Sequence, residues 1–241
     1  MATYNNDRPQ HQRRIFIARE NGQQDKDGKP YWFEWLPQMP ETNDPRRKFE
    51  MRRKSDGSQN VYEMYQAVDG YLVGIDIHVK SFNGTEQTEQ FLVLLMTDGG
   101  DEYLLEIGQI DGRYSMDVMK RLLDPAFNPN LKLRLAPYSI TENEKKNIGL
   151  AAISGVDQKL SAKRESSHLI GIPEPDHAVL KGKTYWDFTP VSGWLYSRIQ
   201  RDVVPKLRKD PIAVPAIPLP APTSNAVQVE VPAVDFDDLP F

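Results

Sequence analysis

Residues 71–81 alternate in character, and that alternation constrains the fold more than any other feature of the chain. Tyr71, Val73, Ile75, Ile77 and Val79 fall on one side, and Asp76, His78 and Lys80 on the other. A period of two marks a strand with one face buried, because successive side chains leave an extended backbone in opposite directions. Asn83-Gly84 follows as a turn, and residues 89–97 (EQFLVLLMT) continue as a more apolar strand. Asp98-Gly99-Gly100 predicts a tight turn and 102–108 (EYLLEIG) a third strand. From Ser115 to Leu123 the spacing of Met116, Met119, Leu122 and Leu123 predicts a helix, with Ser115 as its cap and Asp124-Pro125 as its end. Residues 131–138 (LKLRLAPY) alternate again, with Leu131, Leu133 and Leu135 inward and Lys132 and Arg134 outward, and 147–154 (NIGLAAIS) make a fifth strand.

Three strands, a helix and two strands, in that order, resemble the OB-fold, with another small five-stranded barrel as the alternative. The expectation is a mainly β protein: an OB-fold-like five-stranded barrel with its helix between strands 3 and 4, plus N- and C-terminal extensions. Residues 1–60 form the N-terminal extension, with an aromatic cluster (Tyr31-Trp32-Phe33-Glu34-Trp35) and a basic run from Arg46 to Lys54. Residues 61–209 hold the OB-like domain. Its C-terminal part includes an added strand at 184–188 and an amphipathic helix from Ser192 to Leu207.

Residues 210–234 read as a disordered linker. Six prolines lie between Pro211 and Val234, removing backbone donors and favouring an extended, solvated chain. Net charge is −4, but from Asp210 onward there are five acids and no Lys or Arg, so residues 1–209 carry +1. A near-neutral body with basic clusters and an acidic end points to nucleic acid plus a regulatory tail. There is no cysteine, which excludes disulfides and thiolate metal sites. The first residues carry no apolar run, and no stretch reaches the roughly 18 apolar residues of a membrane helix. The expected location is the cytoplasm.

No catalytic constellation stands out. The histidines (His11, His78, His168, His177) form no metal-ligand spacing, no Gly-rich phosphate loop follows a strand, and there is no GxSxG. The expectation is no enzyme, no metal and no cofactor, although groups from distant positions can still converge.

Nucleic acid is better served. Sequence-tolerant binding of single strands needs cations along the phosphates and aromatic faces for the bases. Residues 46–54 (RRKFEMRRK) carry net +5, so Arg46, Arg47, Arg52 and Arg53 are candidates for phosphate contact; a solvated basic loop is the alternative. Trp32, Trp35, Tyr62 and Tyr65 either stack on bases or pack in a core. On the expected barrel, His78, Lys80, Lys132 and Arg134 lie on polar strand faces. Phe82 sits in the first hairpin, and Tyr138 begins the loop between strands four and five, which also holds Lys145 and Lys146. Those loops and the face between them are where OB-folds hold oligonucleotides.

The last seven residues are Asp235, Phe236, Asp237, Asp238, Leu239, Pro240 and Phe241. A partner pocket with a basic rim would take the Phe241 ring and the terminal carboxylate together, and Pro240 holds Leu239 extended, which lowers the ordering cost. This tip resembles the C-terminal peptide of bacterial single-stranded-DNA-binding proteins. The resemblance implies a docking tip for replication, recombination and repair enzymes, with Asp237, Asp238, Pro240 and Phe241 as partner-binding positions. It also implies a body that binds single-stranded DNA without sequence preference. The tip is one acid shorter than the common bacterial form, and 60 to 70 residues precede the barrel, which suits a divergent, bacteriophage-encoded member in the host cytoplasm. Two rivals remain open: a strand-annealing or mediator protein, and a nuclease carrying a borrowed tip.

Overall fold

The structure, a computed structural model, describes residues 13–17, 30–42, 44, 47–53, 57–81, 88–142, 145–163, 166–181 and 183–207. By contacts the chain divides into 1–211 and 212–241. The expected linker and the tip Asp235–Phe241 lie outside the described residues, as do Arg46 and Phe82.

The protein is mainly β. Among the described residues the main elements are β1 (Arg13–Ile17), β2 (Trp32–Leu36), β3 (Lys48–Arg53), β4 (Gln59–Tyr65), β5 (Val68–Ser81), β6 (Thr88–Asp98), β7 (Asp101–Gln109), α1 (Arg113–Leu122), β8 (Leu133–Glu142), β9 (Lys145–Ser154), and, near the end, α2 (Thr189–Asp202). A two-residue strand, β10 (Gln158–Lys159), extends the sheet, and β11 (Asp176–Leu180) and β12 (Lys183–Asp187) form a separate hairpin. The large sheet runs β10-β9-β8-β5-β6-β7-β1-β2-β4-β3. It is mixed, because β1 joins β7 in parallel.

The expected closed barrel is corrected by this order. Closure would need β7 to meet β9, but β1 occupies the edge of β7. α1 contacts both β7 and β9. There the Asp117 carboxylate accepts the Leu150 backbone N–H at 2.7 Å, satisfying a β9 edge donor with a side chain. The helix also lies after the seventh strand of the chain, not between strands 3 and 4. Four strands that the sequence left irregular, β1 to β4, precede the expected first one. The boundary expected between residues 60 and 61 falls inside β4.

The core lies on one face of the sheet, where Ile15, Ile17, Trp32, Leu72, Ile75, Leu92, Leu94, Met96, Leu105 and Ile107 meet Met116, Val118, Met119 and Leu122 of α1 and Leu195 and Ile199 of α2. Each such side chain contributes about 1.5–3 kcal/mol on burial. Trp32 is fully buried and donates its Nε1–H to the Leu135 carbonyl of β8 at 3.0 Å. That single bond ties the N-terminal strands to the far side of the core. The N-cap of α1 is Gly112, not the expected Ser115, whose buried hydroxyl donates to the Gly108 carbonyl instead.

A β-bulge between Leu72 and Gly74 changes which side chains of β5 face the core. One extra residue reverses the alternation. Before the bulge Val68 and Leu72 point inward; after it Ile75 does. Tyr71, expected inward, therefore lies on the outer face.

Candidate nucleic-acid interface

Residues opposite one another in paired strands share a face. From the registers, the outer face carries Asp76, His78 and Lys80 of β5, Phe91 and Val93 of β6, Glu106 of β7, Arg14 and Phe16 of β1, Phe33 and Trp35 of β2, Tyr62 and Met64 of β4, and Lys48, Glu50 and Arg52 of β3. An aromatic row runs across its N-terminal half. Phe16 and Phe33 stack at 5.5 Å between ring centroids, and Tyr62 meets Phe33 edge-on at 5.4 Å. Trp35, 51% exposed, stands opposite Tyr62.

The row is held in place by polar groups. Asn60 accepts the Trp35 Nε1–H at 3.2 Å and donates to the Tyr62 hydroxyl at 2.9 Å, so one amide sets both rings. The Arg52 guanidinium lies over Tyr62 at 5.2 Å and over Phe33 at 5.7 Å. Arg52 also donates to Glu50 at 2.8 Å and to the Tyr31 hydroxyl at 2.7 Å, and Tyr31 donates to Glu50 at 2.7 Å. Burial, then the bond to Glu50, pushes the Tyr31 hydroxyl up to about 12. The bond from Arg52 holds Glu50 below its ordinary value, so it is ionised at neutral pH. At the other end of the face, Lys80 is 2.5 Å from Glu106 and 4.2 Å from the centre of the Phe91 ring. Lys48 is exposed.

The band therefore offers one exposed ring, Trp35, and the half-buried rings Phe16, Phe33 and Tyr62, with cations oriented by carboxylates between them, whereas Phe91 at its other end is buried. Arg14, Lys48, Arg52 and Lys80 are balanced by Glu50, Asp76, Glu89, Glu102 and Glu106 on the same face, so it carries no excess of positive charge. Stacking surface, more than charge, is what this face supplies.

The expected residues divide. His78, Lys80, Trp35, Tyr62 and Arg52 share this face. Trp32 does not, being buried in the core. Tyr65 and Arg47 lie on the opposite side of the sheet. There Glu34 and Glu63 are directly opposite each other and nearly buried, at 6% and 5% exposure. Two carboxylates in that position need cations. Arg13 grips Glu34 at 2.7 and 2.9 Å, Arg47 grips Glu63 at 2.6 Å through both nitrogens, and Tyr65 donates to Glu34 at 2.9 Å. Arg47, expected on phosphate, is thus engaged by Glu63. Arg53 alternates onto that same side and is exposed at the strand end.

Lys132, Arg134 and Tyr138 do not converge with Lys80. Arg134 is opposite Asp69 of β5, and Lys80 lies about 36 Å further along that strand at about 3.3 Å per residue. Lys132 pairs with Asp98 at 2.7 Å, and Arg134 approaches Asp69 at 3.9 Å. Tyr138 packs against Gly149 beside Asp117, and burial, then the Asp117 charge, raises its hydroxyl pKa. The side chains of Lys145 and Lys146 lie outside the described residues.

Phe16, Phe33, Arg14 and Lys48 were not singled out from the sequence. The available signal was the run Tyr31 to Leu36, where an aromatic ring falls on both parities, Trp32 inward and Phe33 and Trp35 outward. Compared with family models, curated proteins and solved structures, the chain matches none.

Proposed function

We propose that the chain binds single-stranded DNA without sequence preference across the outer face of β5, β6, β7, β1, β2, β4 and β3. It serves replication, recombination or repair, and recruits partner enzymes through Asp235–Phe241. The observation that carries this reading is the pre-positioned row Phe16, Phe33, Tyr62 and Trp35, with Arg52 laid on two of its rings. Bases stack on such faces whatever their identity, at about 1–3 kcal/mol each. Six strand spacings of about 4.8 Å give a track of about 29 Å. That scale suits site sizes of about 4–16 nucleotides.

The strand order supports the reading. β9-β8-β5-β6-β7 places the last two expected strands before the first three, as an OB-type sheet does, and we interpret it as a sheet of that kind opened where β1 binds β7. The binding face then moves from the expected hairpin loops onto the added N-terminal strands. The acidic tip, with its resemblance to bacterial docking peptides, supplies the recruitment half of the proposal.

Electrophoretic mobility shift with oligo-dT and with a duplex of equal length tests it. The expected result is strong preference for the single strand, falling with added salt. Equal affinity for the two would overturn the reading. Faster pairing of complementary strands without protection of either would move it to an annealing protein, and metal-dependent cleavage to a nuclease.

A further inference from the structure

The hairpin β11–β12 stands apart from the sheet. All ten of its strand residues are exposed, including Val179, Leu180, Tyr185 at 54% and Trp186 at 57%. A lone two-stranded hairpin is marginal in water, and its outer edges are unsatisfied templates for another strand. Apart from a tilted contact of Trp186 with His177, its aromatic surface has no described neighbour. The charges are segregated along it. Asp176 and Asp187 face each other at the base, a like-charge arrangement that opposes pairing, whereas Lys181 and Lys183 lie at the tip. They sum to zero, which disfavours a phosphate backbone as the occupant and favours a surface with the same charges reversed in direction.

A second copy of the hairpin is such a surface. We propose that β12 pairs antiparallel with β12 of a second copy, centred on Tyr185. A two-fold axis through that residue makes the contact self-complementary. The register then follows from the sequence. Lys183 lies opposite Asp187 of the second copy, twice over. Thr184 lies opposite Trp186 of the second copy, also twice, and the two Tyr185 rings meet at the centre. Asp187 accepts the Thr189 N–H at the start of α2 at 2.9 Å and is also bonded by the Thr189 hydroxyl, which together fix its side chain and hold it ionised for a lysine across the axis. Two hairpins become one four-stranded sheet, and two exposed edges are removed. The pairing needs no DNA and goes beyond the proposed binding face.

Sedimentation velocity on the full chain at micromolar concentration, without DNA, tests this. The expected species is a dimer. Lys183→Asp sets two carboxylate pairs against each other and is expected to weaken the dimer about tenfold or more. Combining Lys183→Asp with Asp187→Lys restores opposite charges across the axis and is expected to recover most of the association. A different register does not predict that rescue, and circular dichroism checks that the variants are folded. A monomer at all concentrations overturns the proposal. So does a dimer indifferent to Lys183→Asp, or a double variant as weak as the single one. Loss of oligo-dT affinity in Trp186→Ala, with association unchanged, would assign the hairpin to DNA and equally overturn it.

Discussion

Replacing Trp35 by alanine separates binding from stability, because the ring is half outside the fold. It is 51% exposed, its Nε1–H is shared with Asn60, and its cross-strand neighbour is Tyr62. Losing that pair and that surface hydrogen bond costs about 1 kcal/mol. In a domain of this size, that is a fall in Tm of about 2–4 °C. If a base stacks on the indole, the loss in binding is about 1–3 kcal/mol, or roughly 5- to 150-fold in Kd. Fluorescence-anisotropy titration of labelled oligo-dT measures the second quantity and calorimetry the first. Lys132→Ala is the control: its partner Asp98 lies at the other end of β5, and the expected change in Kd is small. Undiminished affinity in both Trp35→Ala and Tyr62→Ala, or a loss of similar size in Lys132→Ala, would refute the placement of the binding face.

Three more outcomes are expected. Lys48→Ala removes an exposed cation from the track, and the dependence of log affinity on log salt should become shallower by about 0.7 with no change in Tm. Burial works against ionisation of Glu63, but the bonds from Arg47 and Tyr65 and the charges of Arg47 and Arg13 together outweigh it, so its carboxyl sits below the usual range. A depressed value gives stability that is full above about pH 4.3 and lost as pH falls through the folded value. Glu63→Gln should therefore cost on the order of 1 kcal/mol at neutral pH and flatten the acid limb of the stability curve, as seen by urea melts across pH. Phe241→Ala should abolish pull-down of repair enzymes while leaving oligo-dT affinity unchanged; retained partners would contradict the docking role.

The strands legible in the sequence were those with one apolar and one polar face. β6, β7, β8 and β9 alternate or run apolar against a single core, and the helix α1 shows its buried Met116, Met119 and Leu122 at helical spacing. β2 and β4 hid themselves for the opposite reason. Their inward parity carries Glu34 and Glu63, carboxylates buried only because Arg13 and Arg47 reach them from β1 and from just before β3. Their outward parity carries Phe33, Trp35 and Tyr62. A pattern with charge inside and rings outside has no period to detect, and the arginines that make it tolerable come from distant sequence. The bulge after Leu72 was equally silent, since one inserted residue changes no composition yet reverses a face. Closure failed for a reason of partners. Nothing in Arg13–Ile17 announces that this segment will take the edge of β7 in parallel.

The candidate face followed the same logic. Lys80, His78, Tyr62, Trp35 and Arg52 were legible as residue types suited to single strands, but their meeting on one face depends on the joining of β1 to β7. Lys132 and Arg134 looked equivalent to Lys80 by alternation. They are separated from it by the length of a 14-residue strand and sit beside Asp98 and Asp69.

Ultraviolet crosslinking of the full chain to oligo-dT, with the modified residues read by mass spectrometry, tests the central claim most directly. Adducts are expected on Trp35, which is exposed, and on the half-buried Phe16, Phe33 and Tyr62 of the same row. Adducts concentrated on Tyr71 and Tyr138, or on Tyr185 and Trp186 of the hairpin, with that row unmodified, would contradict it.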